Sequence, residues 1–169
     1  MKLHIGGKEK KDGWHILNIQ KNDSVDFVGD ISDLSQFKDD SIEEIYASHV
    51  FEHIKYADAK KTLLDIHRIL VEGGKFYISV PDMDILFKQF LDKKSDAKMK
   101  IHIIRMIFGG QTDEYDFHYF GWNFELLRGI LKNTGFKSVE KVEKFSLFKD
   151  TSDYAPYGEL ISLNLIAKK

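Results

Sequence analysis

The sequence predicts an α/β domain whose central sheet is largely parallel. Two apolar, strand-like runs cover residues 42–47 and 75–80, and the segment between them, residues 57–71, carries apolar side chains at helical spacing. A glycine pair, Gly73-Gly74, ends this segment. A strand, a helix and a second strand in this order form a βαβ unit, in which the two strands run parallel.

Length and composition narrow the class of protein. The chain has 169 residues, enough for one domain over residues 1–169, with 43% hydrophobic and 31% charged residues. A formal net charge of −2 gives no general attraction to nucleic acid or to an anionic membrane. The chain has no cysteine, which excludes disulfides and a thiol nucleophile. The first residues lack the apolar core of a signal peptide and no run is long enough to span a bilayer, so we expect a cytoplasmic protein.

Three short strands are predicted before the βαβ unit, over residues 3–5, 15–19 and 24–28. Only residues 7–14 separate the first two strands. A parallel connection normally takes a dozen or more residues and usually contains a helix. We therefore expect the first helix to be reduced or missing, unless the first two strands are not parallel.

The predicted helix over residues 57–71 has one apolar stripe that faces the core. Either glycine of the pair that follows it, Gly73 or Gly74, is expected to supply a left-handed C-cap. The stripe is formed by Ala59, Leu63, Ile66 and Leu70.

The second half of the chain is predicted to hold three helices and two strands. Two helices cover residues 82–91 and 99–108, and Asn123 caps the third. Residues 136–145 and 160–167 are expected to pair as an antiparallel hairpin at the edge of the sheet. The basic residues around the helix over residues 99–108 are typical of a solvated face. Its apolar side would alternatively serve as a lid or as the contact of a homodimer, and the sequence does not separate these interpretations.

Two strand ends indicate where a ligand would bind. Open parallel sheets bind ligands beyond the carboxyl ends of their strands. Ser48 and His49 follow the fourth predicted strand, and Pro81 and Asp82 follow the fifth. Asp82 is expected to cap a helix. His53 is expected to pack or cap, so His49 is the better candidate for an active-site residue.

Histidines form two groups with chemical potential. His49 and His53 lie four residues apart with Glu52 between them, a spacing that places both imidazoles on one face of a helix. No third ligand follows at a helpful spacing, so no metal site is predicted. His118 lies in an aromatic run over residues 116–122, where an aromatic plug against the sheet is the favoured interpretation. The functional alternative is that His118 orients or deprotonates a substrate.

These motifs, in this order, resemble class I S-adenosylmethionine (SAM)-dependent methyltransferases, and most closely a short, type 11-like subfamily. The resemblance covers nearly the whole chain and is strongest over residues 29–82. It is carried by Leu3-His4-Ile5-Gly6-Gly7, Gly29-Asp30 and the segments 13–19, 41–53, 66–74, 76–82, 133–136 and 164–168.

The resemblance implies a Rossmann-like three-layer sandwich around a mostly parallel seven-stranded sheet with an antiparallel last strand. It also implies that SAM lies across the ends of the first strands. Gly6 and Gly7 would let the backbone approach the methionine part of the cofactor, Asn18 would face the ribose hydroxyls and Asp30 the adenine amine. The implied cofactor-binding residues are Gly6, Gly7, Asn18, Asp30, Ile31, Ser48 and His49.

The sequence departs from the family pattern at two positions. Lys8 stands where a further small residue is expected, and Asn18 stands where the family usually has a carboxylate. An amide gives neutral hydrogen bonds, which are roughly half as strong as those of a carboxylate. We therefore expect weak cofactor binding or a loss of catalysis.

The leading hypothesis is a SAM-dependent methyltransferase that acts on a small-molecule or carbohydrate-type acceptor, with His49 or His118 as the base. The carbohydrate acceptor is an association of the resembled subfamily. The alternative is a non-catalytic methyltransferase-like domain that binds a ligand or a partner. A nucleic-acid methyltransferase is disfavoured by the net charge of −2 and by the lack of an Asn/Asp-Pro-Pro-aromatic motif.

Overall fold

The computed structural model describes every residue of the chain, 1–169. One sheet contains seven strands in the order β3-β2-β1-β4-β5-β7-β6. The strands are β1 (Lys2–Ile5), β2 (Trp14–Asn18), β3 (Phe27–Val28), β4 (Ile42–Ser48), β5 (Leu70–Pro81), β6 (Ser138–Val142) and β7 (Ser162–Lys168). The α-helices are α1 (Tyr56–Ile69), α2 (Met83–Leu91), α3 (Ala97–Phe108) and α4 (Phe124–Asn133). None of these helices combines the length and apolar character that a membrane crossing requires.

Strand directions confirm the predicted sheet. The pairs β1–β2, β1–β4, β2–β3 and β4–β5 are all parallel. Only β7 runs the other way, antiparallel to both β5 and β6. β1 and β2 are parallel although the loop between them, residues 6–13, contains no helix. The prediction that the first helix is missing is therefore confirmed.

The end of α1 differs from the prediction. The helix stops at Ile69, and β5 begins at once with Leu70, which caps the helix in an extended conformation. The predicted C-cap at Gly73 or Gly74 is therefore wrong. Gly73 instead has a φ of +77° inside the strand, next to a shift in the β4–β5 register. The glycines let β5 bend before its buried part begins, whereas the pattern of the sequence resembles an ordinary helix stop.

Two predicted N-caps are confirmed, and both lie where helices start above the sheet. The Asp82 carboxylate accepts a hydrogen bond from the backbone N–H of Asp84 at 3.1 Å and starts α2. The Asn123 side chain accepts one from the N–H of Leu126 at 3.0 Å and starts α4. Each cap satisfies one of the N–H groups that a helix leaves without a partner.

The main hydrophobic core lies on the face of the sheet that α1 and α4 cover. It is a cluster of 26 buried residues. Leu63 and Ile66 of α1 and Leu127 and Leu131 of α4 are all fully buried in it. The predicted apolar stripe of α1 is thus the surface that holds the helix on the sheet.

The opposite face is covered by irregular chain instead of helices. Trp14, Tyr46 and Tyr77 form a small buried cluster there, and Phe145 and Phe148 pack onto it. We call residues 143–153, which form this layer, the aromatic cover. These residues form the third layer of the sandwich, on the face of the sheet that the missing first helix would otherwise help to cover.

His4 of β1 is buried between the sheet and the aromatic cover. Its ring lies 4.1 Å from that of Phe148 and meets Tyr46 edge-on at 5.0 Å. Nδ1 of the ring is buried without a hydrogen-bond partner. Burial lowers the pKa of His4 to about 4, so the ring is neutral at physiological pH.

Candidate active site

The strand order places a crevice between the ends of β1 and β4. Chain connections leave these two neighbouring strands in opposite directions, because β1 continues to β2 on one side and β4 to β5 on the other. Gly6 follows β1 and Ser48 ends β4, so both lie at this switch point. Ligands of open α/β sheets bind at such points.

A groove of about 790 Å³ lies over this crevice and brings the predicted residues together. Side chains or backbone from the ends of the first four strands line it. All of the residues predicted to bind cofactor are in its wall: Gly6, Gly7, Asn18, Asp30, Ile31, Ser48 and His49.

The packing of the turn after β1 requires glycine at both Gly6 and Gly7. Gly6 adopts a φ of +75°, and a Cβ at this position would lie 2.5 Å from Cγ2 of Val50. A Cβ at Gly7 would lie 2.8 Å from the His4 ring. The N–H of Gly6 donates to the carbonyl of Leu17 at 2.8 Å. The turn therefore folds tightly against β2 and the loop after β4, and leaves the backbone at the floor of the groove.

The Asn18 side chain is bound to the backbone on both of its polar atoms. Nδ2 donates to the carbonyl of Gly7 at 3.0 Å, and Oδ1 accepts from the N–H of Gln20 at 2.9 Å. The amide thus holds the glycine turn to the end of β2. One N–H and one lone pair of the amide are left for a ligand. These are fewer hydrogen-bonding groups than a free side chain would offer to the ribose hydroxyls, as predicted for this position.

Asp30 and Ile31 close the groove at the end of β3. Oδ1 of Asp30 accepts a hydrogen bond from the N–H of Ser32 at 2.7 Å, which fixes the carboxylate in a local turn. Oδ2 makes no hydrogen bond and is free to accept one from a ligand. Ile31 is 5% exposed and belongs to the main core, so it supplies an apolar wall.

Ser48 and His49 form a strained corner at the end of β4. The Ser48 hydroxyl is buried without a hydrogen-bond partner. His49 has a φ of +53°, which is unusual for a residue other than glycine, and its N–H donates to the carbonyl of Ser79 at 2.9 Å. Such strain is retained where the surrounding structure fixes it and is concentrated at functional sites.

Both ring nitrogens of His49 are engaged. Nδ1 lies 3.2 Å from Oε1 of Glu52, and Nε2 lies 2.8 Å from the Ser162 hydroxyl. That hydroxyl already donates to the carbonyl of Thr151 at 2.9 Å, so it accepts from His49. Both nitrogens are thus occupied by protein partners, so neither is free to take a proton from a substrate.

Glu52 is the centre of a histidine cluster. Its side chain is 1% exposed and lies near the rings of His49, His53 and His118. Burial alone would raise the pKa of this carboxyl, but the nearby His49 imidazole, with smaller contributions from His53 and His118, outweighs it and holds the pKa below its usual range. Glu52 is therefore a buried carboxylate anion.

His118 reaches this cluster from a distant part of the chain. Its Nε2 lies 3.9 Å from Oε1 of Glu52, and its ring meets that of His53 at 4.7 Å. The backbone N–H of Tyr119 donates to the carbonyl of Glu52 at 2.8 Å and fixes the segment in place. Burial lowers the pKa of His118 more than Glu52 raises it, so the ring is neutral at physiological pH and carries a lone pair.

His118 does not line the groove but a second, apolar pocket beside it. This pocket has a volume of about 550 Å³, and nine of its eleven lining residues are hydrophobic. Phe87 and Phe90 of α2 and Ile104 and Phe108 of α3 form much of its wall. Tyr119 lines both the pocket and the groove, so the two cavities adjoin at the histidine cluster.

Sequence reasoning missed two parts of the site. Glu52 stands between two histidines in the sequence, and a lone acidic residue there gives no sign that it is buried. The loop over residues 112–116 also lines the groove, and the hydroxyl of Thr112 donates to the Asp116 carboxylate at 2.8 Å within it. A polar run after Gly109-Gly110 was the available signal for this loop.

The groove is acidic. Only Lys8 and Lys55 supply positive side chains to its wall. The carboxylates that line it are Asp30, Asp58, Asp113, Glu114, Asp116 and Asp150. This balance favours a ligand that carries positive charge.

Comparisons with known proteins agree with this geometry. A family model described as a methyltransferase domain matches residues 10–78, which include Asn18, Asp30, Ser48 and His49. No curated protein matches the sequence significantly.

Solved structures of methyltransferases share the fold. A SAM-dependent methyltransferase from Archaeoglobus fulgidus has a TM-score of 0.59 at 16% identity, over 99% of this chain and 85% of the other. The 1,6-didemethyltoxoflavin-N1-methyltransferase of Burkholderia thailandensis, solved with its substrate and S-adenosylhomocysteine (SAH), has a TM-score of 0.64 at 15% identity, over 99% and 70%. A complex of the Haloferax volcanii Trm112 methyltransferase activator with a methyltransferase gives 0.58 at 16%, over 99% and 80%. The chain spans 47–61% of three other neighbours.

The methyltransferase-domain model matches less than half of the chain, and the solved structures share its fold, which is the Rossmann-like fold that the sequence predicted. The A. fulgidus neighbour is SAM-dependent, and the B. thailandensis neighbour was solved with SAH. The groove fits such a group on its own evidence. It has an acidic wall for a sulfonium cation, a buried Ser48 hydroxyl without a partner and a free carboxylate oxygen on Asp30.

Proposed function

We propose that this protein is a SAM-dependent methyltransferase that acts on a small molecule, with the cofactor in the groove and the acceptor in the apolar pocket. The observation that carries the proposal is that the two cavities meet at one place, beside Tyr119 and the histidine cluster. When bound, SAM supplies a methyl group on a positively charged sulfur. Alignment of an acceptor with that methyl group is most of what such a reaction requires of the protein.

The chain's own residues would divide the remaining tasks. Ser48 and Asp30 would hold polar groups of the cofactor, since both residues line the groove and each has a side-chain oxygen without a hydrogen bond. His118 would receive the proton of an acceptor hydroxyl, because its ring is neutral and lines the acceptor pocket. His49 would position Glu52, because both of its ring nitrogens are already engaged.

The lining of the pocket favours an acceptor with an apolar body over a carbohydrate. A sugar site needs many polar partners, and His118 and Tyr119 are the two titratable side chains among mostly apolar neighbours. The carbohydrate acceptor, the homodimer and the cytoplasmic location stay predictions. The carbohydrate acceptor is tested by measuring how much SAH the protein produces with a panel of apolar phenols and with a matched panel of monosaccharides as acceptors.

Cofactor binding is the decisive experiment. Titration calorimetry with SAM and SAH should show one site, and Asp30→Ala should weaken SAM by about tenfold through the lost hydrogen bond. Asp33→Ala is the matched control, because Asp33 accepts from the N–H of Ser35 in a similar turn but does not line the groove. Failure of SAM to bind at millimolar concentration would rule the proposal out.

A non-catalytic ligand-binding domain is the second candidate. The engaged Asn18 amide favours it, since little is left at this position to grip the ribose. In that case SAM or SAH would bind, and the protein would produce no SAH from SAM with any acceptor in either panel. A non-catalytic domain has no turnover for His118→Ala to change. In a methyltransferase, His118→Ala should lower turnover by roughly 10²-fold or more and leave the SAM affinity unchanged.

A further inference from the structure

Glu52 has a buried charge that its surroundings do not fully satisfy. The side chain is 1% exposed, and neither carboxylate oxygen has a hydrogen bond of good geometry. Nδ1 of His49 lies 3.2 Å from Oε1, and Oε2 has no partner. Buried charges in proteins are normally paired and hydrogen-bonded, or they coordinate metal ions.

Two imidazoles complete a set of metal ligands around this carboxylate. One ligand atom from each of Glu52, His53 and His118 lies within 4.8 Å of the others. Nδ1 of His53 is 3.0 Å from the carbonyl of Phe117, which leaves Nε2 with the lone pair when Nδ1 donates. A backbone carbonyl that fixes the tautomer of a histidine in this way is typical of metal ligands.

We propose that Glu52, His53 and His118 form a binding site for a divalent transition-metal ion of the zinc class. Two histidines and one carboxylate are a known ligand set for zinc with a fourth position open to water or substrate. Magnesium and calcium prefer oxygen ligands, so two imidazoles disfavour them. The sequence predicted no metal site because no third ligand was evident, and the fold supplies it from His118, far along the chain.

The location gives the ion a role that rests on the proposed function. His53 lines the groove and His118 lines the apolar pocket, so the ion would sit where the cofactor and acceptor meet. An acceptor hydroxyl in the open position would be held beside the methyl group, and its pKa would fall as that of zinc-bound water does. His118 would then act on the acceptor through the ion and not as a free base.

The test is direct metal binding by the untagged, full-length protein. Calorimetric titration with zinc sulfate, followed by elemental analysis after dialysis, should show one zinc ion per chain. His118→Ala and Glu52→Gln should each weaken zinc by tenfold or more, and magnesium chloride should not compete. Circular dichroism establishes that each variant is folded. If Glu52→Gln does not fold, His53→Ala takes its place.

The matched control is His15→Ala. His15 and Asp26 form an exposed histidine–carboxylate pair at 4.0 Å outside both cavities, so its loss should leave zinc affinity unchanged. The proposal is overturned if the wild-type protein shows no saturable zinc site, or if His118→Ala binds zinc as tightly as wild type. The same calorimetry with SAM separates the two proposals, because SAM binding without zinc binding removes only the metal site.

Discussion

Gly6 shows how one residue can serve both the fold and the site. Alanine at this position would be strained by the positive φ and would also press on Val50. Gly13 has a similar φ of +78° but open space around it. Gly13→Ala should therefore lower the free energy of unfolding by about 1–2 kcal/mol, and Gly6→Ala by roughly a further 1 kcal/mol or more.

Urea denaturation of both glycine variants measures this difference. Equal losses for Gly6→Ala and Gly13→Ala would show that Val50 moves aside without cost. In that case the conformation of the turn alone would require the glycine.

Asn18 leads to an unexpected prediction for the variant Asn18→Asp, which introduces the carboxylate that the resemblance to methyltransferases implies at this position. Aspartate has no N–H to donate to the carbonyl of Gly7, and it would place one acceptor against another. We expect the variant to lose about 1–3 kcal/mol of unfolding free energy. Thermal unfolding checks this, and a variant as stable as wild type would contradict the role given to the amide.

The α2 helix depends on its N-cap more than α3 does. The Asp82 side chain is 2% exposed, caps α2 and pairs with Nζ of Lys141 at 3.2 Å. Asp96 caps α3 by accepting from the N–H of Met99, but it is exposed. Asp82→Ala should cost about 1–2 kcal/mol and Asp96→Ala roughly 0.5–1 kcal/mol, as measured by chemical denaturation. The reverse order would mean that the pair with Lys141 contributes nothing.

Local patterns explain which elements were predictable. The α1 stripe, the caps at Asp82 and Asn123 and the β4 and β5 cores depend on nearby residues, and the sequence displays them. The extension of β5 back to Leu70 does not, because the pairing of Leu70 with Ile42 joins distant segments. The groove residues could be predicted because they follow strands that local patterns reveal. The approach of His118 to Glu52 could not, because it depends on the path of a loop that no local pattern determines.

At the scale of the whole molecule, His4 should make stability depend on pH. Its pKa is about 4 in the folded protein and 6.5 in an unfolded chain, so between these values the unfolded state binds more protons. The contribution of neutral His4 is complete above pH 6.5 and is lost as the pH falls toward 4. The loss should reach about 3 kcal/mol, because each pKa unit corresponds to 1.36 kcal/mol.

The variant His4→Phe isolates this effect, since it keeps a ring against Phe148 and Tyr46 but cannot be protonated. The difference in unfolding free energy between wild type and variant should shift in favour of the variant between pH 6.5 and 4. A difference that does not vary over this interval would show that His4 is protonated without penalty.

The aromatic cover packs on one face of the sheet and also forms part of the groove wall. Asp150 and Thr151 belong to this segment and also line the groove, and Oδ2 of Asp150 accepts from the Tyr46 hydroxyl at 2.8 Å beneath it. A molecule seated in the groove would therefore clamp the segment that shields one side of the sheet. Proteases should cut residues 143–153 more slowly when SAH is present, and the same residues would be the first to open when it leaves.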